Sequence, residues 1–148
     1  MAQSTKADAA VLASADDLRS LVGKLRRKLQ EQASPEEFTP SQSSVLLRLH
    51  KCGPATMSEL ARAEGMRPQS MSAIVATLEH AGLVTGAPHP TDGRQTILSL
   101  SDAAQNLIAS NRAAKNDWLA RAISSQYTER ERADLVRGVE LLHRLLDA

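Results

Sequence analysis

The chain has 148 residues, and its 42% hydrophobic but only 2% aromatic content predicts one domain with an aliphatic core. A formal net charge of +1 excludes a strongly basic protein that coats nucleic acid without specificity, so any DNA binding must depend on local placement of charge. The single cysteine, Cys52, excludes an internal disulfide framework and suits a reducing cytoplasm.

The N-terminal segment carries neither the basic start nor the continuous apolar block of a secretory signal. No uncharged apolar run approaches the roughly 20 residues that span a bilayer, so we expect a soluble cytoplasmic protein without a membrane partner. Residues 1 to about 8 are small and polar and are expected to fray.

A long amphipathic helix is predicted for residues 9–33. Its apolar side chains recur at helical spacing and form a stripe that needs a partner. Basic side chains crowd the segment between Lys24 and Lys28, and such a run is more often a solvated helix face than a contact with phosphate. The apolar residues are Leu18, Leu21, Val22, Leu25 and Leu29.

Residues 33–38 are predicted to be a linker, and a supporting helix follows. The stretch from Thr39 to Gln42 has a capping residue, a proline in the first turn and a glutamine three positions after the cap, which predicts a helix start. Gly53 and Pro54 should end this helix. The side chains expected to face the core are Val45, Leu46 and Leu49.

The next segment predicts two short helices that meet at a tight turn. Thr56 and Glu59 have the spacing at which each side chain satisfies a backbone amide at a helix start. Gly65 fits the turn because it tolerates positive φ, and Pro68 fits the first turn of the second helix. Together these signals predict a helix-turn-helix.

The second of these helices has one apolar face and one small, polar face. The apolar residues repeat at i, i+3, i+4 and i+7 and should face a core. They are Met71, Ile74, Val75 and Leu78. The opposite face has no carboxylate before Glu79, which suits a helix that enters the major groove of DNA. An ordinary solvated helix is the alternative.

A hairpin should follow. Gly82 ends the helix, residues 83–85 and 96–100 are predicted strands, and the turn-forming residues 89–94 lie between them. A hairpin directly after a helix-turn-helix is a wing. Arg94 at its base can reach the DNA backbone or the narrow minor groove, where the negative potential attracts a guanidinium. Asp92 is placed to hold that guanidinium; the alternative is a turn-forming Asp that caps its own backbone.

Two more helices are predicted after the wing, separated by a break at residues 124–127. The second begins at a capping box formed by Thr128 and Glu131. The segments 9–33 and 102–148 carry more apolar surface than the winged domain, 39–100, needs, which indicates a helical dimer interface. Three-helix packing within one chain is the alternative.

Three ordered segments resemble the MarR family of bacterial transcription regulators. They are Gly53 to Ala61, Thr77 to Val84 and Pro90 to Arg94. The resemblance extends over nearly the whole chain and implies a two-fold homodimer. It also implies that a small anionic or phenolic effector lodges between the dimer helices and the winged domain and weakens DNA binding. The family usually has a second basic residue beside the wing arginine, where this chain has Gly93.

The candidate DNA contacts come from both short helices and the wing. Gln69 can pair with adenine, and Ala73 can touch a thymine methyl. Arg62 and Arg67 should position the second helix on phosphates. Ser58 fits either a phosphate contact or a structural role at the start of its helix. The full set is Ser58, Arg62, Arg67, Pro68, Gln69, Ser70, Ser72, Ala73, Thr77, Asp92 and Arg94.

No enzyme motif, metal-ligand spacing or cofactor signature is present in the sequence. His89 is expected on the wing surface, and His143 on a helix face. Cys52 is expected to be a buried, inert thiol, because the oxidant-sensing cysteines of the family lie in the first helix. Arg19, His50 and Trp118 are conceivable effector-pocket residues.

The sequence thus predicts a mainly α fold with a small β-hairpin wing. The expected function is a homodimeric transcriptional repressor that binds a near-palindromic double-stranded DNA site and is released by an effector. Two alternatives remain open. One is a redox-sensing regulator that acts through Cys52. The other is a winged helix that binds protein and not DNA, which Gly93 and the low net charge favour.

Overall fold

The computed structural model describes residues 2–33 and 38–148, with side chains from residue 6 onward. The predicted linker therefore lies mostly outside the described residues. The described helices are α1 (Ala2–Gln30), α2 (Pro40–Cys52), α3 (Met57–Ala63), α4 (Pro68–His80), α5 (Asp102–Gln126) and α6 (Glu129–Leu146). The described strands are β1 (Ala55–Thr56), β2 (Val84–Pro88) and β3 (Thr96–Leu100). Two compact units are formed, one within residues 34–111 and one within 1–33 and 112–148.

The first of these units contains an antiparallel sheet with the strand order β1-β3-β2. The hairpin of β2 and β3 confirms the predicted wing. The sequence pattern does not reveal β1, which pairs Ala55 with Leu98. Strand β2 extends three residues beyond the predicted segment, to Pro88. Gly86 suits this extension, since a Cβ there would lie 2.9 Å from Cγ2 of Thr96.

The core of this unit lies between the sheet and helices α2, α3 and α4. The residues predicted to face the core from α2 are buried. Leu60 and Ala61 of α3 are buried with them. The core members are Val45, Leu46, Leu49, Leu60, Ala61, Met71, Val75, Leu78, Leu83, Val84, Leu98 and Ala104. The predicted turn is also observed, with Gly65 at φ 63° between α3 and α4.

Two of the three predicted capping boxes form completely. Those of α2 and α6 have both reciprocal hydrogen bonds. At the start of α3, the Thr56 hydroxyl accepts from the N–H of Glu59 at 3.2 Å. The Glu59 carboxylate, however, accepts from the same hydroxyl and not from the backbone N–H of Thr56. Thr56 is also a residue of β1, whose backbone pairs with β3.

The second unit contains α1, α6 and residues 112–126 of α5. Helix α1 begins at Ala2, so residues 2–8, which were expected to fray, are helical in the structure. Alanine and lysine in this segment have high helix propensity. The apolar stripes of α1 and α6 remain largely uncovered within the chain. Leu21 and Val22 are each 57% exposed, and no residue of α6 is buried. In residues 2–33 and 38–148, no helix has the length and apolar character needed to cross a membrane.

Candidate nucleic-acid interface

Helix α4 has the two faces that its sequence predicts. Met71, Val75 and Leu78 are 0%, 1% and 1% exposed, and Ile74 is half-buried. The opposite face is exposed along the whole helix. Its residues are Gln69, Ser70, Ser72, Ala73, Ala76, Thr77 and His80. Helix α4 is therefore anchored on one side, and its outer side is accessible to a partner.

The N-terminal end of α4 is not capped by a side chain. Arg67 occupies the N-cap position in extended backbone, and its side chain makes no capping hydrogen bond. Pro68 has no N–H, and the N–H of Met71 donates to the carbonyl of Arg67 at 3.1 Å. No described side chain caps the amides of Gln69 and Ser70. These amides and the positive end of the helix dipole favour an anionic oxygen at this place.

Three predicted contact residues present unpaired guanidinium groups. Arg62 lies in the last turn of α3, Arg67 precedes α4, and Arg94 lies between β2 and β3; all three are exposed. Among the described residues, none forms an ion pair or a side-chain hydrogen bond with them. Although the net charge of the chain is low, three guanidinium groups near α4 are thus free to bind an anionic partner.

The hydroxyl groups on the outer face of α4 differ in what they can still bind. The Thr77 hydroxyl donates to the carbonyl of Ala73 at 3.1 Å, one turn earlier on the same helix. It retains acceptor capacity but cannot donate to a phosphate while that bond persists. The hydroxyls of Ser70 and Ser72 have no hydrogen bond to a described residue and keep their donors. Of the three, the serines are the better phosphate donors.

Ser58 is the second residue of α3 and is exposed. The capping role at this helix start belongs to Thr56, whose hydroxyl accepts from the N–H of Glu59. The Ser58 hydroxyl makes no hydrogen bond to any described residue. It is therefore available for an external acceptor such as a phosphate.

A hydrogen-bonded cluster that the sequence pattern does not reveal connects α2 to the end of α3. Glu64 is the C-cap of α3, and its side chain is 11% exposed. Its carboxylate accepts from the guanidinium of Arg48 and from the hydroxyl of Ser44, each at 2.8 Å. The hydrogen bond from Arg48 lowers the pKa of Glu64, against the opposing effect of burial, and Ser44 adds to the lowering. A carboxylate at a helix C-terminus faces the negative end of the dipole and is favourable there only with a compensating cation, but the sequence does not indicate which residue supplies it.

The wing loop, residues 89–95, joins β2 to β3. The N–H of His89 donates to the carbonyl of Gln95, and the N–H of Gln95 donates to the carbonyl of Asp92, each at 3.0 Å. The Asp92 carboxylate accepts from the backbone N–H of Arg94 at 3.2 Å and from the side-chain amide of Gln95 at 3.3 Å. The loop is thus held by its own backbone and by one carboxylate.

The predicted contact between Asp92 and the guanidinium of Arg94 is wrong for this structure. No ion pair joins the two residues in the described part of the chain. The turn-forming alternative is observed, because a carboxylate two positions before an amide reaches that amide within the turn. The guanidinium of Arg94 therefore extends from an ordered turn without an internal partner.

His89 also contributes to the loop, although it was expected to be a plain surface residue. It is half-buried, and its Nδ1 accepts from the N–H groups of Thr91 and Asp92 at 3.2 and 3.1 Å. An acceptor side chain two and three positions before turn amides has the spacing of a helix cap. Treating histidine as a possible capping residue would have revealed this role.

Cys52 is exposed, so the expectation of a buried thiol is wrong. The residue lies in the last turn of α2, beyond the buried Leu49 and at the edge of the core. Gly53 ends the helix at this point with φ 82°. The thiol is therefore exposed because it lies beyond the last buried residue of the helix.

The conceivable effector residues are not brought together within either unit. His50 is exposed in the unit of residues 34–111. In the other unit, Arg19 contacts Asp16 at 3.5 Å and Trp118 is half-buried. An open surface depression of about 480 Å³ is lined by Ala81, Leu83, Ala103, Asn106, Leu107 and Ser110. None of the three conceivable residues lines it.

Metal-ligating side chains do not cluster in the part of the chain that the structure describes. No group of three or more His, Cys, Asp or Glu residues there could hold a metal ion.

Comparisons with known proteins agree with this architecture. The sequence model of the MarR family matches residues 38–96, which contain α2, α3, α4 and β2. Over 134 residues, the chain is 35% identical to an HTH-type transcriptional regulator of Mycobacterium bovis and 33% identical to one of Mycobacterium leprae. Each match covers 90% of this chain and 92% of the relative.

Solved structures share the fold. A transcriptional regulator from Pseudomonas aeruginosa superposes with a TM-score of 0.78 at 37% identity, covering 93% of this chain and 96% of that one. MepR from S. aureus, solved with an oligodeoxyribonucleotide, has the same fold with a TM-score of 0.71 at 18% identity, covering 89% and 96%. The regulators in this family are not enzymes. The chain therefore belongs to the MarR family and is a DNA-binding, HTH-type transcriptional regulator.

Proposed function

We propose that the chain is a cytoplasmic homodimeric repressor that binds a near-palindromic duplex site and is released by a small anionic or phenolic effector. We assign DNA recognition to α4 because its outer face is exposed from Gln69 to Thr77 and carries no carboxylate there. Phosphates and base edges can approach such a face closely, whereas a carboxylate there would repel the DNA backbone.

Helix α4 enters the major groove in this proposal. Gln69 forms two hydrogen bonds with an adenine, and Ala73 contacts a thymine methyl. The uncapped amides at the helix start, next to Pro68, and the hydroxyls of Ser70 and Ser72 bind phosphates. Thr77 accepts from a base edge, since its proton is already donated to Ala73.

The flanking contacts fix the position of α4 on the duplex. Arg62, Arg67 and Ser58 contact phosphates, for which their exposed, unpaired groups are suited. Arg94 enters the minor groove from the wing loop. Asp92 supports Arg94 indirectly, by ordering the backbone of the loop.

A second copy of the chain covers the apolar stripes of α1 and α6. Leu21 is 57% exposed and Leu142 is 43% exposed, and α6 contains no buried residue. Burial of such side chains is worth roughly 25 cal/mol per Å2 of apolar surface, which favours association. A two-fold dimer presents two copies of α4 to half-sites about 34 Å apart, which accounts for a near-palindromic site.

The effector acts by binding more tightly to an arrangement that cannot hold DNA than to the one that can. A thermal-shift screen of small aromatic acids tests this step. Compounds that raise the melting temperature should also release DNA. If every compound that stabilises the protein leaves DNA binding unchanged, release by an effector of this class is refuted.

The test of DNA binding starts from a library of random duplexes. The protein is used to select bound sequences, and a selected duplex is titrated at two salt concentrations. Binding should weaken steeply with salt, because phosphate contacts release counterions. The absence of a shifted band at low salt would contradict the proposal and support the protein-binding alternative.

The exposure of Cys52 favours one second candidate, a redox-sensing regulator. In that case peroxide should release the selected duplex from the wild-type protein, and Cys52→Ser should abolish the response. An unchanged response in Cys52→Ser eliminates this candidate.

A further inference from the structure

The imidazole of His89 is built into the wing loop as a hydrogen-bond acceptor. The N–H groups of Thr91 and Asp92 donate to its Nδ1 at 3.2 and 3.1 Å. Because backbone amides can only donate, Nδ1 must carry a lone pair and the ring proton must be on Nε2. The hydroxyl of Thr91 also lies 3.2 Å from Nδ1 and can donate to it. The observed loop thus requires a neutral imidazole.

The same loop connects this imidazole to the wing arginine. His89 holds the N–H of Asp92, and the Asp92 carboxylate in turn holds the N–H of Arg94 at 3.2 Å. The backbone N–H of His89 closes the loop through the carbonyl of Gln95. A change at the imidazole therefore reaches the backbone of Arg94 through a single intervening residue.

We propose that His89 is a positioning residue for Arg94 and that protonation of its imidazole weakens the hold of the wing on DNA. This inference rests on the proposed function, in which Arg94 contacts the duplex. A protonated imidazole has an N–H at both nitrogens. Its Nδ1–H would then face two backbone N–H donors, so the turn must open. Histidine is the side chain whose charge ordinarily changes between about pH 5 and 8.

No carboxylate in the described structure forms an ion pair with His89 that would stabilise its protonated form. Strands β2 and β3 carry no titratable side chain. Within the loop, the Asp92 carboxylate accepts hydrogen bonds from the backbone N–H of Arg94 and the side-chain amide of Gln95. From α4, which packs against β2, the Glu79 carboxylate approaches Gly86, with Oε1 3.8 Å from the position of a Cβ there. None of these carboxylates forms an ion pair with His89.

The sign of the pH effect separates this proposal from simple electrostatics. A histidine that gains charge beside DNA without changing the loop would strengthen binding, as phosphates attract cations. His80, on the exposed face of α4, is a histidine of that kind. Opening of the wing loop predicts the opposite, a weaker complex at lower pH.

The experiment measures the Kd of the full-length protein for the selected duplex between pH 8.0 and 5.5 at constant ionic strength. For the wild type, Kd should rise about tenfold, which corresponds to about 1.4 kcal/mol. His89→Asn places an amide oxygen near the position of Nδ1 and does not titrate, so it should bind like the wild type at pH 8.0 and keep its affinity at pH 5.5. His89→Ala should be weak at both pH values. His80→Asn, the matched control, should lose at least as much affinity as the wild type, because it removes a charge that would favour binding in acid and leaves the wing loop unchanged.

The role through Arg94 is tested in a double-mutant cycle. In the Arg94→Ala background, His89→Ala should change Kd by less than about twofold, because the contact it supports is already gone. An equal effect of His89→Ala in both backgrounds would overturn the positioning role. So would a wild-type pH dependence that persists unchanged in His89→Asn.

A readout without DNA keeps this inference distinct from the proposed function. In nitrogen-15 spectra of the free protein, the amide signals of Thr91 and Asp92 should move between pH 8.0 and 5.5 in the wild type and stay constant in His89→Asn. If these amide signals move with pH but the protein does not bind DNA, only the proposed function of the wing is refuted. Amide signals that stay constant in the wild type would refute the role of His89.

Discussion

Glu64→Gln tests whether the cluster that joins α2 to the end of α3 stabilises the winged unit. Only 11% of the Glu64 side chain is exposed, and its carboxylate accepts two hydrogen bonds of 2.8 Å. Glutamine has nearly the same shape but only one acceptor oxygen and no charge. The substitution therefore removes the charge without creating a cavity.

The expected loss of unfolding free energy is about 1–2 kcal/mol. Hydrogen bonds to a charged group contribute roughly 1.5–3 kcal/mol, but Arg48 is 38% exposed and regains water when its partner is lost. The remaining amide oxygen of glutamine also keeps one contact. Both considerations place the expected loss around or just below the lower end of that range.

The effect should depend on pH in a defined direction. Because the hydrogen bond from Arg48 lowers the pKa of Glu64 in the folded protein, the ionised carboxylate stabilises the folded state at every pH above its ordinary pKa. This contribution disappears as the pH falls through the lower, folded-state pKa. The difference between wild type and Glu64→Gln should therefore be full at neutral pH and shrink in acid.

Urea unfolding at fixed protein concentration, followed from about pH 7 to about pH 3.5, measures this difference. Glu31→Gln is the matched control, since the pair of Lys28 and Glu31 has a distance of 3.0 Å but side chains that are 62% and 57% exposed. Its effect should stay below about 0.5 kcal/mol. A Glu64→Gln effect that equals the control, or that does not change with pH, would refute the reasoning.

Three further predictions concern the proposed interfaces. Arg94→Ala should weaken binding to every duplex and reduce the salt slope by about one unit, measured by fluorescence anisotropy, whereas Arg130→Ala should change neither. Gln69→Ala should cost roughly 1–3 kcal/mol on the selected duplex and relax one base preference per half-site; equal loss on all duplexes would contradict base reading. Leu142→Asp should dissociate the dimer in sedimentation velocity, whereas Leu47→Asp, at a similarly exposed leucine of α2 (46% against 43%), should not. Dissociation by both variants, or by neither, would contradict an interface at α6.

The sequence predicted best those features that depend on spacing within one helix. The stripe of Met71, Val75 and Leu78 is buried as expected, because residues at i, i+4 and i+7 share a helix face in any helical protein. The complete capping boxes at Thr39 and Thr128 were predictable for the same reason. The ordered segments that resemble the MarR family identified the fold and the family correctly.

Features that depend on contacts between distant or alternative partners were not predictable. The two residues of β1 are too few to show alternation, and their strand exists because Leu98 and Ile97 pair with them. Glu64 and Arg48 are sixteen positions apart, so their contact follows from the fold and not from spacing. At Asp92, two bonding choices were chemically reasonable, and the closure of the turn decided between them.

Because α4 is anchored on one side only, the residues that keep this helix folded are different from those proposed to contact DNA. The outward side chains of Gln69 and Ser72 form no hydrogen bond to the described chain, while the inward side chains supply the packing. Substitutions on the outward side should therefore alter the preferred duplex at little expense in folding, and distant ones should combine additively. Single substitutions on the exposed face can therefore change the preferred DNA sequence without compensating substitutions in the core.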